Sequence, residues 1–319
     1  MNEKFNFKNF IENLLNFSPR QLEGEKKAAD FIISFLKKNH FSYYVDYFLT
    51  KVPKIERAIL KADNKKISCK GCSFVSGKIK DKDYLISSLI PSRFFLDKPN
   101  INFNPKCDGI SLSNFYFAPA LAVSKRDLDL ILRAKRVEGE VKVKPIKYKA
   151  RNILVGNLKN PKIICFAHYD SIEKGAVDNA SGVAVIMAAI ILHPEIIKNN
   201  LFVFSANEEL SYDKPTYWGY GFRSFENKFF KIMKLSKEIL VVDCVGNGRV
   251  KVFKDENSIY LAFPIKNKEK FKDKIKIISG GFDNLMEIYH SDLDDIKRIN
   301  ENYLMEGVRM ILNHCLLRL

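Results

Sequence analysis

Ile163-Ile-Cys-Phe-Ala-His168-Tyr-Asp170-Ser-Ile-Glu-Lys-Gly175-Ala-Val-Asp178-Asn-Ala-Ser-Gly182-Val-Ala-Val-Ile-Met-Ala-Ala-Ile-Ile-Leu192 decides how this chain is read. The opening run, Ile163 to Ala167, is short and wholly apolar, as a strand buried on both faces requires. After a polar turn, Ala180 to Leu192 is apolar almost without break and long enough for a buried helix. It opens on Ala180, Ser181 and Gly182, small residues that let a helix pack closely on a sheet.

The same texture spreads outward. Ile153–Val155, Leu201–Phe204 and Ile239–Val242 are further buried-strand runs, separated by helix-length segments, and Asn300 to Leu317 reads as a closing helix with Leu304, Val308, Ile311, Leu312 and Cys315 on one face. Strands alternating with helices predict an α/β fold: a mostly parallel, mixed sheet sandwiched by helices. Toward the N-terminus, Ser18-Pro19-Arg20-Gln21 has the form of a capping box, predicting a helix that runs through Ala28, Ala29, Ile32, Phe35 and Leu36 to Lys38. Phe41 to Leu49 reads as a strand. Between Lys51 and Lys147 short apolar runs such as Tyr84–Ile90 and Ala118–Val123 are broken by Pro, Gly, Asn and Lys. That segment is expected to be a smaller, strand-rich inserted domain, with one helix over Ser124–Ala134 turning Leu128, Ile131 and Leu132 inward. The predicted domains are therefore 1–50 with 148–319, and 51–147.

At 319 residues and 46% hydrophobic content, disorder and collagen-like repeats are excluded. The formal charge of +16 comes from 53 Lys+Arg against 37 Asp+Glu. The lysines are dispersed, with no basic block, so no nucleic-acid partner is expected. Val183–Leu192, the longest nearly unbroken apolar stretch, falls short of the ~20 residues that cross a bilayer, so no membrane association is expected. Met1 to Phe7 shows no basic region leading into an apolar core, and the expected localisation is cytoplasmic. Cysteines there are mostly free thiols; a homo-oligomer is left open.

Three of the apolar runs end in metal-ligating side chains: Ala167-His168-Tyr169-Asp170, Asn207-Glu208-Glu209 and Val242-Asp243. Ligands of an open α/β sheet gather outside the carboxyl ends of its strands, so these groups converge on one crevice. Asp178 and Asn179 stand before the apolar helix, and Tyr289-His290 follows late in the chain. Imidazole with carboxylate oxygen suits zinc.

His168-Tyr169-Asp170, Asp178-Asn179-Ala180-Ser181-Gly182, Glu208-Glu209, Asp243 and Tyr289-His290, in that order, resemble the dizinc aminopeptidases related to bacterial leucyl aminopeptidase and glutamate carboxypeptidase, metallopeptidase family twenty-eight. The resemblance covers the N-terminal helix and about 152 to the end. It implies a zinc-peptidase fold and two zinc ions per chain, for which Co2+ or Mn2+ can substitute. Asp178 would bridge them, with His168 and Asp243 completing one site and Glu209 and His290 the other. Glu208 would be the general base, Asp170 would orient His168, and Tyr289 would donate to the oxyanion. The substrate implied is a peptide cleaved at its N-terminus. A cis peptide bond between Asp178 and Asn179 is implied as well.

The chain departs from that family in three places. A long aromatic stretch, Leu210 to Ser224, replaces a short turn, Val177 stands where an acid is common, and the 51–147 insert resembles protease-associated domains only weakly, best at Pro119–Ser124. A carboxypeptidase or other amidohydrolase, with Arg223 binding a substrate carboxylate, remains an alternative, as do a cyclase-like single-zinc relative and a non-catalytic binding protein. Tyr212, Tyr217, Trp218, Tyr220 and Phe222 either line a specificity pocket or anchor the loop. Cys69-Lys-Gly-Cys72 lacks a second pair and reads as two thiols in a turn, while Cys165, Cys244 and Cys315 are assigned no chemistry. His40, His193 and His314 read as structural residues at helix ends.

Overall fold

The computed structural model describes residues 5–80, 85–89 and 97–316. The chain forms two compact units: 1–49 with 149–282 and 295–319, and 50–148 with 283–294. The sequence reading keeps 283–294, with Tyr289 and His290, in the larger domain.

In the larger unit the strands lie in the order Lys251–Phe253, Ile275–Ser279, Glu238–Val242, Ile163–His168, Leu201–Ser205 and the end of Val137–Gly156. The three inner pairings from Ile275–Ser279 to Leu201–Ser205 run parallel, and antiparallel strands close both sides. Ile163–His168 is thus flanked by Leu201–Ser205 and Glu238–Val242, and in register Ser205 sits beside His168 and Val241 beside Phe166. All four strands named from the sequence are present; Lys251–Phe253 and Ile275–Ser279 were not foreseen. Ile275–Ser279 hides because Lys276 interrupts its apolar run; the amine reaches Glu238 on the neighbouring strand at 2.7 Å.

Alternation along these strands sorts their side chains to two faces. Ile164, Phe166, Leu201, Val203, Ile239, Val241, Ile275 and Ile277 pack with Phe222, Phe225 and Met233 of the helix Tyr220–Leu235 and with Ile259 of Glu256–Ala262. The other face takes the helix Ser181–Leu192, whose first ten residues are all buried. A Cβ on Gly182 would stand 2.6 Å from the Val242 carbonyl, so only glycine lets this helix start so close to the sheet. The helix Glu301–Leu316 packs on it through Gly307, next to Val185, and buries Leu304, Val308, Ile311 and Cys315; Leu312 is only half-buried.

The N-terminal region corrects two expectations. Phe7–Leu15 is a helix the sequence reading passed over, capped by Asn6 and burying Phe7, Phe10, Ile11 and Leu14 at helical spacing. The next helix begins at Glu23, not at a Ser18 capping box. Ser18-Pro19 is a cis bond, the Ser18 hydroxyl donates to the Lys174 carbonyl, and Arg20 is wholly buried. Long-range partners have claimed the groups that a cap would use.

The smaller unit has its own core, built on Leu60, Ile67, Ile79, Ile101, Leu121, Val123, Ile131 and Val141. A four-stranded sheet orders Cys69–Gly71, Ala120–Val123, Asn100–Phe103 and Leu85–Ser87. The expected helix there is one turn of 3-10 helix, capped by Ser124, leading into Leu128–Arg133; Ile131 is buried, but Leu132 is 57% exposed, against expectation. Tyr84 and Ile90, the ends of one expected apolar run, lie outside the described residues, as does Leu317. Among the described residues no helix is long and apolar enough to cross a membrane.

Candidate metal centre

Three adjacent parallel strands deliver their first polar residues at the same edge of the sheet. His168 ends one strand, Glu208 and Glu209 follow Leu201–Ser205, and Asp243 follows Glu238–Val242. Asp178 arrives from the turn before the apolar helix, where the bond to Asn179 is cis, as the resemblance implies. His168 Nε2 lies 3.2 Å from Asp178 Oδ1 and 3.5 Å from Asp243 Oδ1. Ligand atoms of His168, Asp178 and Glu209 lie within 4.8 Å of one another; so do those of Asp178, Asp243 and Cys244. Asp178 is common to both groups.

The turns are tied to one another by buried polar groups. Asp170, wholly buried, accepts the backbone N–H groups of Glu208 at 3.0 Å and Glu209 at 2.9 Å, and its Oδ1 lies 3.5 Å from His168 Nδ1. Asn179 donates to the Val242 carbonyl at 2.8 Å and accepts the N–H groups of Gly182 and Cys244. Asn152 accepts from Ser205 Oγ and Ala206 N and donates to the Gly221 carbonyl. Arg20 donates to the carbonyls of Tyr169, Lys174 and Gly175, the loop between His168 and Asp178. Sequence reasoning gave Arg20, Asn152 and Asn179 no supporting role, and their partners, 3 to 155 residues away, leave no local signature.

The donor set suits a divalent cation. Asp170, Asp178, Glu208 and Glu209 are each under a tenth exposed, and so much buried negative charge is costly unless cations join it. Burial works against the charged form of His168, but the hydrogen bonds it donates to Asp170, Asp178 and Asp243 outweigh that and hold its pKa well above the usual imidazole range. Burial, only partly opposed by His168 and reinforced by Glu209, Asp170 and Asp243, pushes Glu208 well above the usual carboxylate range. Imidazole nitrogen with several carboxylate oxygens is chemistry that zinc accepts.

Tyr289 and His290 belong to the smaller unit. There His290 is buried, its ring stacks on Tyr289 at 3.7 Å, and its Nδ1 lies 3.0 Å from the Leu112 carbonyl. The Tyr289 carbonyl accepts the Ser111 hydroxyl.

The loop after Glu209 is pinned from within. Arg223 is wholly buried and donates to the carbonyls of Thr216, Trp218 and Pro264, to Thr216 Oγ1 and, at 3.4 Å, to Asp213. No guanidinium donor is left for a substrate carboxylate. Phe222 is core, Trp218 donates to the Leu261 carbonyl, and Tyr220 packs edge-on against Phe48, so these aromatics anchor the loop. The backbone of Gly219 donates to the Glu208 carbonyl, fastening that loop to the Glu208–Glu209 turn.

None of the six cysteines is in a disulfide. Burial pushes the Cys69 thiol up to about 11 and Cys72 up to about 12, which suits inert thiols. His314, read as a lone helix-end imidazole, meets Glu238 at 2.7 Å, and His193 meets Glu195 at 3.2 Å.

Residues 152–237 match the profile of Peptidase family M28. No curated protein sequence matches the chain. Among solved structures, the fold is similar to that of a zinc aminopeptidase from Bacillus subtilis, with a TM-score of 0.69 at 18% identity over 98% of this chain and 94% of that one. It is similar to a peptidase M28 precursor from Shewanella amazonensis, with a TM-score of 0.69 at 15% identity over 97% and 92%. A glutaminyl cyclase from Porphyromonas gingivalis shares the fold at a TM-score of 0.54 and 12% identity, over 98% and 97%. Residues 152–237 thus carry the profile of Peptidase family M28, and the fold is shared with these structures along nearly the whole length of the chain.

Proposed function

We propose that this protein is a zinc-dependent aminopeptidase that releases N-terminal residues from peptides. The observation that carries the reading is the sharing of Asp178 between two groups of ligand atoms, one with His168 and Glu209 and one with Asp243. That arrangement supports two ions with a carboxylate common to both. His290 as a further ligand and Tyr289 as an oxyanion donor stay as the resemblance has them.

Zinc bound here supplies Lewis acidity toward the scissile carbonyl and the attacking water. Glu208 precedes Glu209 in the same turn and belongs to neither ligand group, so its carboxylate is left to take the proton of the attacking water and pass it to the leaving amine. Asp170 holds that turn through both backbone N–H groups, setting where the base stands. The carboxylates of the site also suit a free α-ammonium group, which selects for the peptide N-terminus. The saturated Arg223 weighs against the carboxypeptidase reading.

Zinc titration followed by assays on aminoacyl anilides, N-acetylated peptides and peptides with N-terminal glutamine tests this. Two zinc ions per chain and hydrolysis of unblocked substrates only are expected. Equal kcat/KM on acetylated peptides would make the protein an amidohydrolase; cyclisation of glutaminyl peptides without hydrolysis would make it a cyclase.

A further inference from the structure

We infer that Cys244 is a sulfur ligand to the ion held by Asp178 and Asp243; this rests on the metal-site reading above and adds a donor that the family resemblance does not assign. On a regular strand the side chains of Asp243 and Cys244 would point to opposite faces. Here the strand ends at Val242, and Cys244 takes the left-handed conformation, φ 53°. That turn brings the thiol back to the side of the Asp243 carboxylate, with Sγ 3.3 Å from Asp243 Oδ1. Sγ and one carboxylate oxygen from each of Asp178 and Asp243 fall within 4.8 Å of one another. The same Asp243 oxygen lies 3.5 Å from His168 Nε2, which puts the sulfur on the side of the site.

The backbone holds it there. The Cys244 N–H donates to Asn179 Oδ1 at 3.3 Å, and its carbonyl accepts from Gly280 N at 3.0 Å. Cys244 is 5% exposed. On coordination the S–H bond breaks, the proton leaves to solvent, and a sulfur–metal bond replaces it, with no redox change. A thiolate makes this half of the centre softer than an all-oxygen and imidazole set, so zinc and cadmium are favoured there over manganese.

Cobalt(II) loading of the full-length protein tests the assignment by spectroscopy, independently of turnover. The wild type is expected to show visible d–d bands and a near-ultraviolet thiolate-to-cobalt charge-transfer band. Cys244→Ser and Cys244→Ala are expected to keep the visible bands and lose the charge-transfer band. Zinc should also shield Cys244 from alkylation by iodoacetamide, read by peptide mass spectrometry. Visible bands without a charge-transfer band in the wild type, or a charge-transfer band that survives in Cys244→Ser, would overturn the assignment while leaving the metal site intact. Absence of any cobalt spectrum would overturn the metal reading itself and this inference with it.

Discussion

Removing the Asp170 carboxylate should cost both stability and metal affinity, by amounts that the hydrogen bonds allow to be separated. Asp170→Ala strands the N–H groups of Glu208 and Glu209, which sit 3.0 and 2.9 Å from its two oxygens inside the protein. Each buried donor left unpaired costs about 1–3 kcal/mol, so the pair amounts to about 2–6 kcal/mol. That is a large part of the 5–15 kcal/mol by which a domain is ordinarily stable, roughly speaking. Asp170→Asn keeps one acceptor oxygen, so it should lose about half as much. The second effect runs through His168, whose Nδ1 faces Asp170 Oδ1 at 3.5 Å; losing such a partner of a ligating imidazole costs roughly 10–100-fold in metal affinity. Urea unfolding of the metal-free protein reads the first quantity, and competition with a chromogenic chelator reads the second. A metal-free stability within about 0.5 kcal/mol of wild type, the range of an ordinary surface substitution, would refute the hydrogen-bond argument. A stability loss with unchanged zinc affinity would refute the link to His168.

Glu208→Gln is expected to retain zinc and lose about 10²–10⁴-fold in turnover, whereas Asp178→Ala should lose metal as well; matched metal loss, measured by elemental analysis, would show the roles are misassigned. Arg223→Met leaves the carbonyls of Thr216, Trp218 and Pro264 without their donor and should cost about 3 kcal/mol or more. Arg223→Lys should recover only part of that, since an ammonium cannot span all the acceptors; thermal unfolding decides. Burial opposes the Glu238 carboxylate, but hydrogen bonds from Lys276 and His314, each at 2.7 Å, outweigh it and hold its carboxyl below the usual range. A pKa lower in the folded than in the unfolded chain means stability that is present above the unfolded value, about 4.3, and lost as the pH falls through the folded one. Glu238→Gln should therefore flatten the acid limb of the stability–pH curve; an unchanged limb would refute the pairing.

What could be read from the sequence follows the range over which each signal acts. Three of the proposed metal ligands, His168, Glu209 and Asp243, follow contiguous apolar runs, so strand and ligand are read together at 163–168, 201–209 and 239–243. Arg20 could not be found that way: its carbonyl partners lie about 150 residues on, at Tyr169, Lys174 and Gly175. The same distance misled the helix start, since Ser18 has the composition of a cap but gives its hydroxyl to Lys174. Arg223 stays open to two readings in the sequence for a related reason, because sequence shows its charge but not that burial and five neighbouring acceptors consume it. Cys244 looked like one more small apolar residue until the left-handed turn reversed its direction.

These supporting groups share a logic. Each of the three strand ends that carry ligands is joined to another turn of the site by one buried polar side chain: Asp170 links His168 to Glu208 and Glu209, Asn179 links the Asp178 turn to Val242 and Cys244, and Asn152 links Ser205 and Ala206 to the start of the next helix. Such cross-links join protein groups to protein groups over an apolar core, so they hold the ligand directions without drawing on coordination bonds. The free energy of metal binding is then not consumed in organising the loops, as it is in small domains that fold only around zinc. It is available instead for setting affinity and for holding the substrate carbonyl, and the choice between ions passes to the donor atoms themselves. In this chain that gives unusual weight to the one donor that is neither nitrogen nor oxygen, the sulfur beside Asp243.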